Sequence, residues 1–116
     1  MLQKVWVIMF VAAALLLVAI AAEVFATAAL PRAEGLTNPV WTTVVVGGYA
    51  LSIWLLTLVV KQIPVSVTYA IWAGLGTAAI AVVGVVFLDE PVNLLKIASI
   101  ALIITGVVLL NVQTSH

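Results

Sequence analysis

Four nearly unbroken apolar runs, each close to the roughly 20 residues a helix needs to cross a bilayer, constrain this 116-residue chain more than anything else in it. The first runs from about Val5 to Leu30, interrupted only by Glu23, and stops where Pro31 and Arg32 end the pattern. The second starts at about Val40, with Asn38 placed to cap it. Pro39 fits its first turn, where a missing amide proton costs nothing, and the run ends at Lys61-Gln62. Pro64 opens the third by the same logic. That run reaches Leu88, and Asp89-Glu90-Pro91 makes a polar turn before the fourth, from about Val92 to Asn111. The pattern predicts an all-α integral membrane protein: one domain over residues 1–116, with spans at about 5–30, 40–60, 64–88 and 92–111.

Composition excludes most alternatives. The chain is 66% hydrophobic and 7% charged, far more apolar than a soluble domain. Four basic residues balance four acidic ones, so no basic patch exists for nucleic acid. Without cysteine there is no disulfide or thiolate chemistry, and a single His116 is a poor basis for a metal centre. No cofactor, metal site or enzymatic activity is expected.

The first run admits a second reading, because Lys4, an apolar stretch and Ala19-Ile20-Ala21 together look like a secretory signal. The apolar pattern resumes at Val24-Phe25-Ala26, which favours a span. From Val5 to Leu30 the helix would reach roughly 39 Å, beyond the ~30 Å hydrocarbon core. It must tilt or overhang, unless Met9 is the physiological start and residues 1–8 are a dispensable extension.

Basic residues near short loops set orientation, and here they tie. With alternating spans, Lys4 and Lys61 fall on one side and Arg32 and Lys96 on the other. A chain without bias can insert both ways, so dual topology and an antiparallel pair are expected. The alternative is that Lys96, drawn into the membrane edge, counts less. Four helices are also a thin bundle to enclose a polar site, which points to self-association.

Glu23 is the one ionisable residue deep within a span, where a central acid costs up to about 2.5–3.5 kcal/mol to insert. Such residues usually face a protein interior or water and carry function. A carboxyl that holds either a proton or an organic cation is an exchange site in its simplest form. The plainer reading is a protonated Glu bonded to a neighbouring helix. Leu16, Ala19, Ile20, Ala26, Thr27 and Leu30 share its helical face. Ala19 and Ala26 leave room beside the carboxyl and Thr27 can donate to it, although a tightly packed membrane helix looks similar.

Tyr69 and Trp72 lie three apart on one face, and Tyr49 is mid-span; with Glu23 they could line a pocket for a flat hydrophobic cation. An interfacial aromatic belt competes, most strongly for Tyr69. Trp6 and Trp41 look like anchors, whereas Ser52 and Trp54 fit either role. Gly74 and Gly76 permit close packing or a helix bend. Ser99 and Gly106, seven apart, form a seam for another helix, from a second copy or the same chain.

Several segments together resemble the small multidrug resistance family of bacterial inner-membrane transporters. They are Ala22-Glu23-Val24-Phe25-Ala26-Thr27, Tyr49-Ala50-Leu51-Ser52-Ile53-Trp54, Tyr69-Ala70-Ile71-Trp72-Ala73-Gly74-Leu75-Gly76, and Gly106-Val107-Val108 with Asn111. The likeness covers about residues 10–113. It implies an antiparallel homodimer that exports lipophilic or quaternary cations in exchange for protons, with Glu23 of both copies binding proton or cation. It also implies pocket roles for Tyr69 and Trp72, secondary contacts at Tyr49 and Thr27, and a dimer seam at Ser99 and Gly106. Ala19, Ile20, Ala26 and Ser52 complete the expected pocket. The family commonly has Gly where Ala26 and Ser99 stand and Lys where Pro31 stands. The guanidinium-exporting branch resembles a Trp-bearing version at position 26, so this sequence is more similar to the multidrug branch. A guanidinium or polyamine exporter, a rotor proteolipid and a structural subunit are the competing readings.

Overall fold

The computed structural model describes residues 2–114, and the side chains of 2–110 and 112 among them. Met1, the Asn111 side chain and His116 therefore lie outside the described residues. Four helices follow one another: α1 (Leu2–Ala29), α2 (Pro39–Val59), α3 (Val65–Phe87) and α4 (Leu94–Thr114), with no strand among the described residues. The protein is a four-helix membrane protein. The first three helices are long and apolar enough to span a bilayer, while the apolar part of α4, Leu94–Leu110, is shorter.

Local chemistry sets the helix ends. Pro31 cannot continue the α1 ladder, so the chain tightens into a 3₁₀ turn at Leu30–Ala33. Glu34, Gly35 and Leu36 then take left-handed backbone angles (φ 53°, 69° and 68°), which lets the Thr37 and Asn38 amides both donate to the Ala33 carbonyl at 3.0 and 3.1 Å. Asn38 caps α2: its Oδ1 accepts from the amides of Val40 and Trp41, each at 3.1 Å, with Pro39 in the first turn. Asn93 does the same for α4 through the Lys96 amide at 2.8 Å, so α4 starts at Leu94.

α1 is the organising helix, packed against α2 on one side and α3 on the other; α4 rests on α3. Leu16, Ile20 and Val24 of α1 meet Val59 of α2 in a buried cluster, with Ile71, Trp72 and Ile80 of α3 against it. Beyond Glu23 a second cluster joins Ala29, Ala33 and Val45, flanked by Trp41 and Tyr49. Gly48 lets α1 and α2 approach closely, because a Cβ there would stand 2.8 Å from the Ala26 Cβ. Gly74 does this for α4, since its missing Cβ leaves room for Val107 and Ile103. α3 runs as one unbroken helix through Gly74 and Gly76, and Gly74 serves close packing there.

Five hydroxyls on the exposed helix faces are satisfied locally. Thr43, Thr57, Thr77, Ser99 and Thr105 each donate to a carbonyl one turn earlier on their own helix, so they present no unbonded proton outward.

Candidate functional site

Glu23 sits half-buried in the C-terminal third of α1, between α3 and α2. Thr27, one turn along, donates from Oγ1 to Glu23 Oε1 at 2.9 Å, and Thr27 Oγ1 lies 2.8 Å from the Tyr49 hydroxyl on α2. Each hydroxyl has one proton to give, so the polarity of this chain follows the state of the carboxyl. With Glu23 ionised, Tyr49 donates to Thr27 and Thr27 to Glu23. A protonated Glu23 can donate outward and reverse the order. The three side chains thus form a hydrogen-bonded relay across the α1–α2 contact.

On its other side Glu23 opens onto a cavity of about 180 Å³ lined by Thr27, Tyr69, Trp72, Ala73, Gly76, Thr77 and Ile80. Tyr69 and Trp72 meet edge to face, ring centroids 5.5 Å apart and planes at 81°, an arrangement aromatic pairs favour. Tyr69 is 62% exposed, so its ring marks the rim and Trp72 the wall. Gly76 lies beneath the carboxyl: a Cβ there would be 3.6 Å from Glu23 Oε2. Among the described residues no cationic side chain pairs with Glu23, the one ion pair being Lys96–Glu90 at 3.5 Å. One carboxyl, π faces and no internal counter-cation make a site suited to a proton or a bound organic cation.

The expected site residues separate into two groups. Glu23, Thr27, Tyr69 and Trp72 share the cavity, and Tyr49 joins through the relay. Ala19, Ile20, Ala26 and Ser52 do not line it and are buried instead. Ala26 packs under Gly48, Ile20 belongs to the apolar cluster, and the Ser52 Oγ is buried without a hydrogen-bond partner. Ala73, Thr77 and Ile80 line the cavity without having been expected, as does Gly76, expected only for packing or a bend. They extend the Tyr69–Trp72 face at helical spacing, which is the signal that would have found them. Ser99 and Gly106 lie exposed on α4, with nothing within 4 Å of where a Gly106 Cβ would be. No group of three potential metal ligands occurs among the described residues.

The sequence matches the family described as Small Multidrug Resistance protein over residues 5–103. It is 43% identical over 99 residues to multidrug resistance protein mmr of Mycobacterium leprae (strain TN), covering 84% of this chain and 92% of that protein. It is 44% identical over 102 residues to the nicotine metabolites export pump subunit NepA of Paenarthrobacter nicotinovorans, covering 88% of each. Quaternary ammonium compound-resistance protein QacF of Klebsiella aerogenes is 41% identical over 96 residues, 83% of this chain and 87% of that protein.

Proposed function

The chain belongs to the Small Multidrug Resistance family, multi-pass proteins of the bacterial inner membrane, and on that premise we propose that it exports hydrophobic or quaternary organic cations in exchange for protons. Relatives named for multidrug resistance, quaternary ammonium resistance and metabolite export support the substrate class. The observation that carries the reading is the Glu23 carboxyl, held by Thr27 and open to a cavity walled by Trp72. Proton and cation compete for this one group. A protonated Glu23 has little attraction for a cation, and a bound cation neutralises the carboxylate. Alternating exposure of the site to the two membrane faces then couples the two fluxes.

The working unit of the proposal is an antiparallel homodimer. About 180 Å³ is less than the roughly 300–1,000 Å³ typical of small-molecule sites, and two copies facing each other would bring the volume into that range. The exposed Ser99/Gly106 face of α4 offers a contact surface, and the even division of basic residues supports insertion in both orientations. A C-terminal reporter that reads out on both membrane faces is expected; readout on one face alone refutes dual topology.

Glu23→Gln tests the assignment. Proton-driven efflux of an ethidium-type cation from membrane vesicles should be lost while helical circular dichroism is kept, and pH-dependent efflux that persists refutes the reading. The small single-chain cavity favours, as a second reading, a narrow exporter of guanidinium-sized cations. Transport of guanidinium without transport of a lipophilic phosphonium would select it.

A further inference from the structure

On the opposite side of the α1–α3 contact lies a second, larger cavity of about 900 Å³, which shares no residue with the Glu23 site. Leu17, Val24 and Ala28 of α1 and Leu75, Val83 and Phe87 of α3 form an apolar trough. Along α1 it extends from Leu17 to Ala29, about 18 Å at the helical rise and more than the roughly 15 Å of one leaflet's hydrocarbon, and it ends at Arg32 in the turn beyond. Its wall carries a single charge and no carboxylate. That charge is Arg32, just past the end of α1, whose guanidinium lies 5.0 Å from the centroid of the Trp41 ring. Among the described residues Arg32 makes no ion pair. Trp41 lies in the first turn of α2, at the end of a span, and indoles at span ends favour headgroup depth.

We propose that this trough holds an acyl chain of a phospholipid whose anionic phosphate is bound by Arg32 braced on Trp41. An apolar groove of leaflet depth ending in an unpaired guanidinium at the interface matches both ends of such a lipid. Arg also binds phosphate in a fixed two-pronged geometry that a choline-capped headgroup partly masks. The groove between α3 and α4 supplies an internal contrast. It is about 210 Å³ and also carries one cation, Lys96, but that ammonium is already paired with Glu90 at 3.5 Å, so this groove has no charge to offer a headgroup.

The test uses full-length protein in phosphatidylcholine vesicles, with Trp6, Trp54 and Trp72 changed to Phe so that Trp41 is the sole indole. Lipids brominated in their acyl chains serve as quenchers. Brominated phosphatidylglycerol is expected to quench Trp41 at about fivefold lower mole fraction than brominated phosphatidylcholine, the ratio that one interfacial basic residue supports. Arg32→Gln should bring the ratio to about one, Arg32→Lys should keep most of it, and Lys96→Gln should leave it unchanged. Native mass spectrometry of the protein with all four tryptophans should retain phosphatidylglycerol in the Arg32 form and lose it in Arg32→Gln. Equal quenching by the two lipids, or a preference that survives Arg32→Gln, overturns the proposal. So does disulfide cross-linking of Ala28→Cys chains through this face, which would make the occupant a second copy.

Discussion

Among the described residues Thr27 donates the single side-chain hydrogen bond that Glu23 receives, and its removal has a calculable effect. Valine replaces the hydroxyl by a methyl group of nearly the same shape, so Thr27→Val leaves the half-buried contacts in place and deletes the 2.9 Å bond. A hydrogen bond to an ionised group contributes about 1.5–3 kcal/mol. On the proposed mechanism Glu23 is ionised when it holds a cation, so cation affinity should fall about 10- to 100-fold. Tyr49→Phe removes only the outer, neutral link of the relay, worth about 0.5–1.5 kcal/mol, or roughly 2- to 10-fold. Tyr49 reaches the carboxyl only through Thr27, so the double variant should bind no more weakly than Thr27→Val alone. The coupling energy should therefore equal the whole Tyr49→Phe effect. Equilibrium binding of a lipophilic phosphonium to purified protein at one fixed pH measures all four corners of the cycle. Strictly additive effects, or wild-type binding by Thr27→Val when Glu23→Gln has lost it, would refute the relay.

Three further outcomes are expected. Gly48→Ala puts a methyl 2.8 Å from the Ala26 Cβ and should destabilise the α1–α2 pair by about 1–3 kcal/mol in detergent unfolding, with the stability returned by adding Ala26→Gly. Gly76→Ala meets Glu23 Oε2 only at 3.6 Å and should fold and bind, whereas Gly76→Leu should fill the cavity and abolish cation binding with helical content retained; normal binding would show that the cation does not use this space. Trp72→Ala removes the wall and the edge-to-face partner of Tyr69, so transport assays should show a larger loss for flat aromatic cations than for tetramethylammonium, and equal losses would point to a packing role.

Much of this architecture is legible in the sequence because the membrane leaves few options for a run of apolar residues, and because Asn38, Pro39 and Pro64 mark helix starts by rules that need no tertiary context. Glu23 is legible for the same reason, its cost in a span being high wherever the neighbours are. What escapes is how a helical face is shared between two partners. Ala26 and Thr27 both flank Glu23 in sequence spacing, yet Ala26 is taken up against Gly48 and only Thr27 reaches the cavity. Spacing alone does not say that Gly48 stands across from it. Ser52 follows Tyr49 by three residues on α2, but the relay ends at Tyr49 and leaves the Ser52 hydroxyl buried without a hydrogen-bond partner. Gly76 could have been placed at the site by extending the Tyr69 and Trp72 face one further turn. Its pairing with Gly74 draws attention to packing, and the structure assigns the two glycines to different neighbours.

The hydroxyls that turn back onto their own helices also determine what an arriving charge meets. Thr77 borders the cavity, yet its proton is committed to the Ala73 carbonyl, as those of Thr43, Thr57, Ser99 and Thr105 are committed elsewhere on the helix faces. On the proposed reading, a cation crossing this protein therefore meets no outward-pointing hydroxyl proton at these positions to repel it. Against such positions Glu23 is, on the proposed reading, the place where a positive charge gains by stopping.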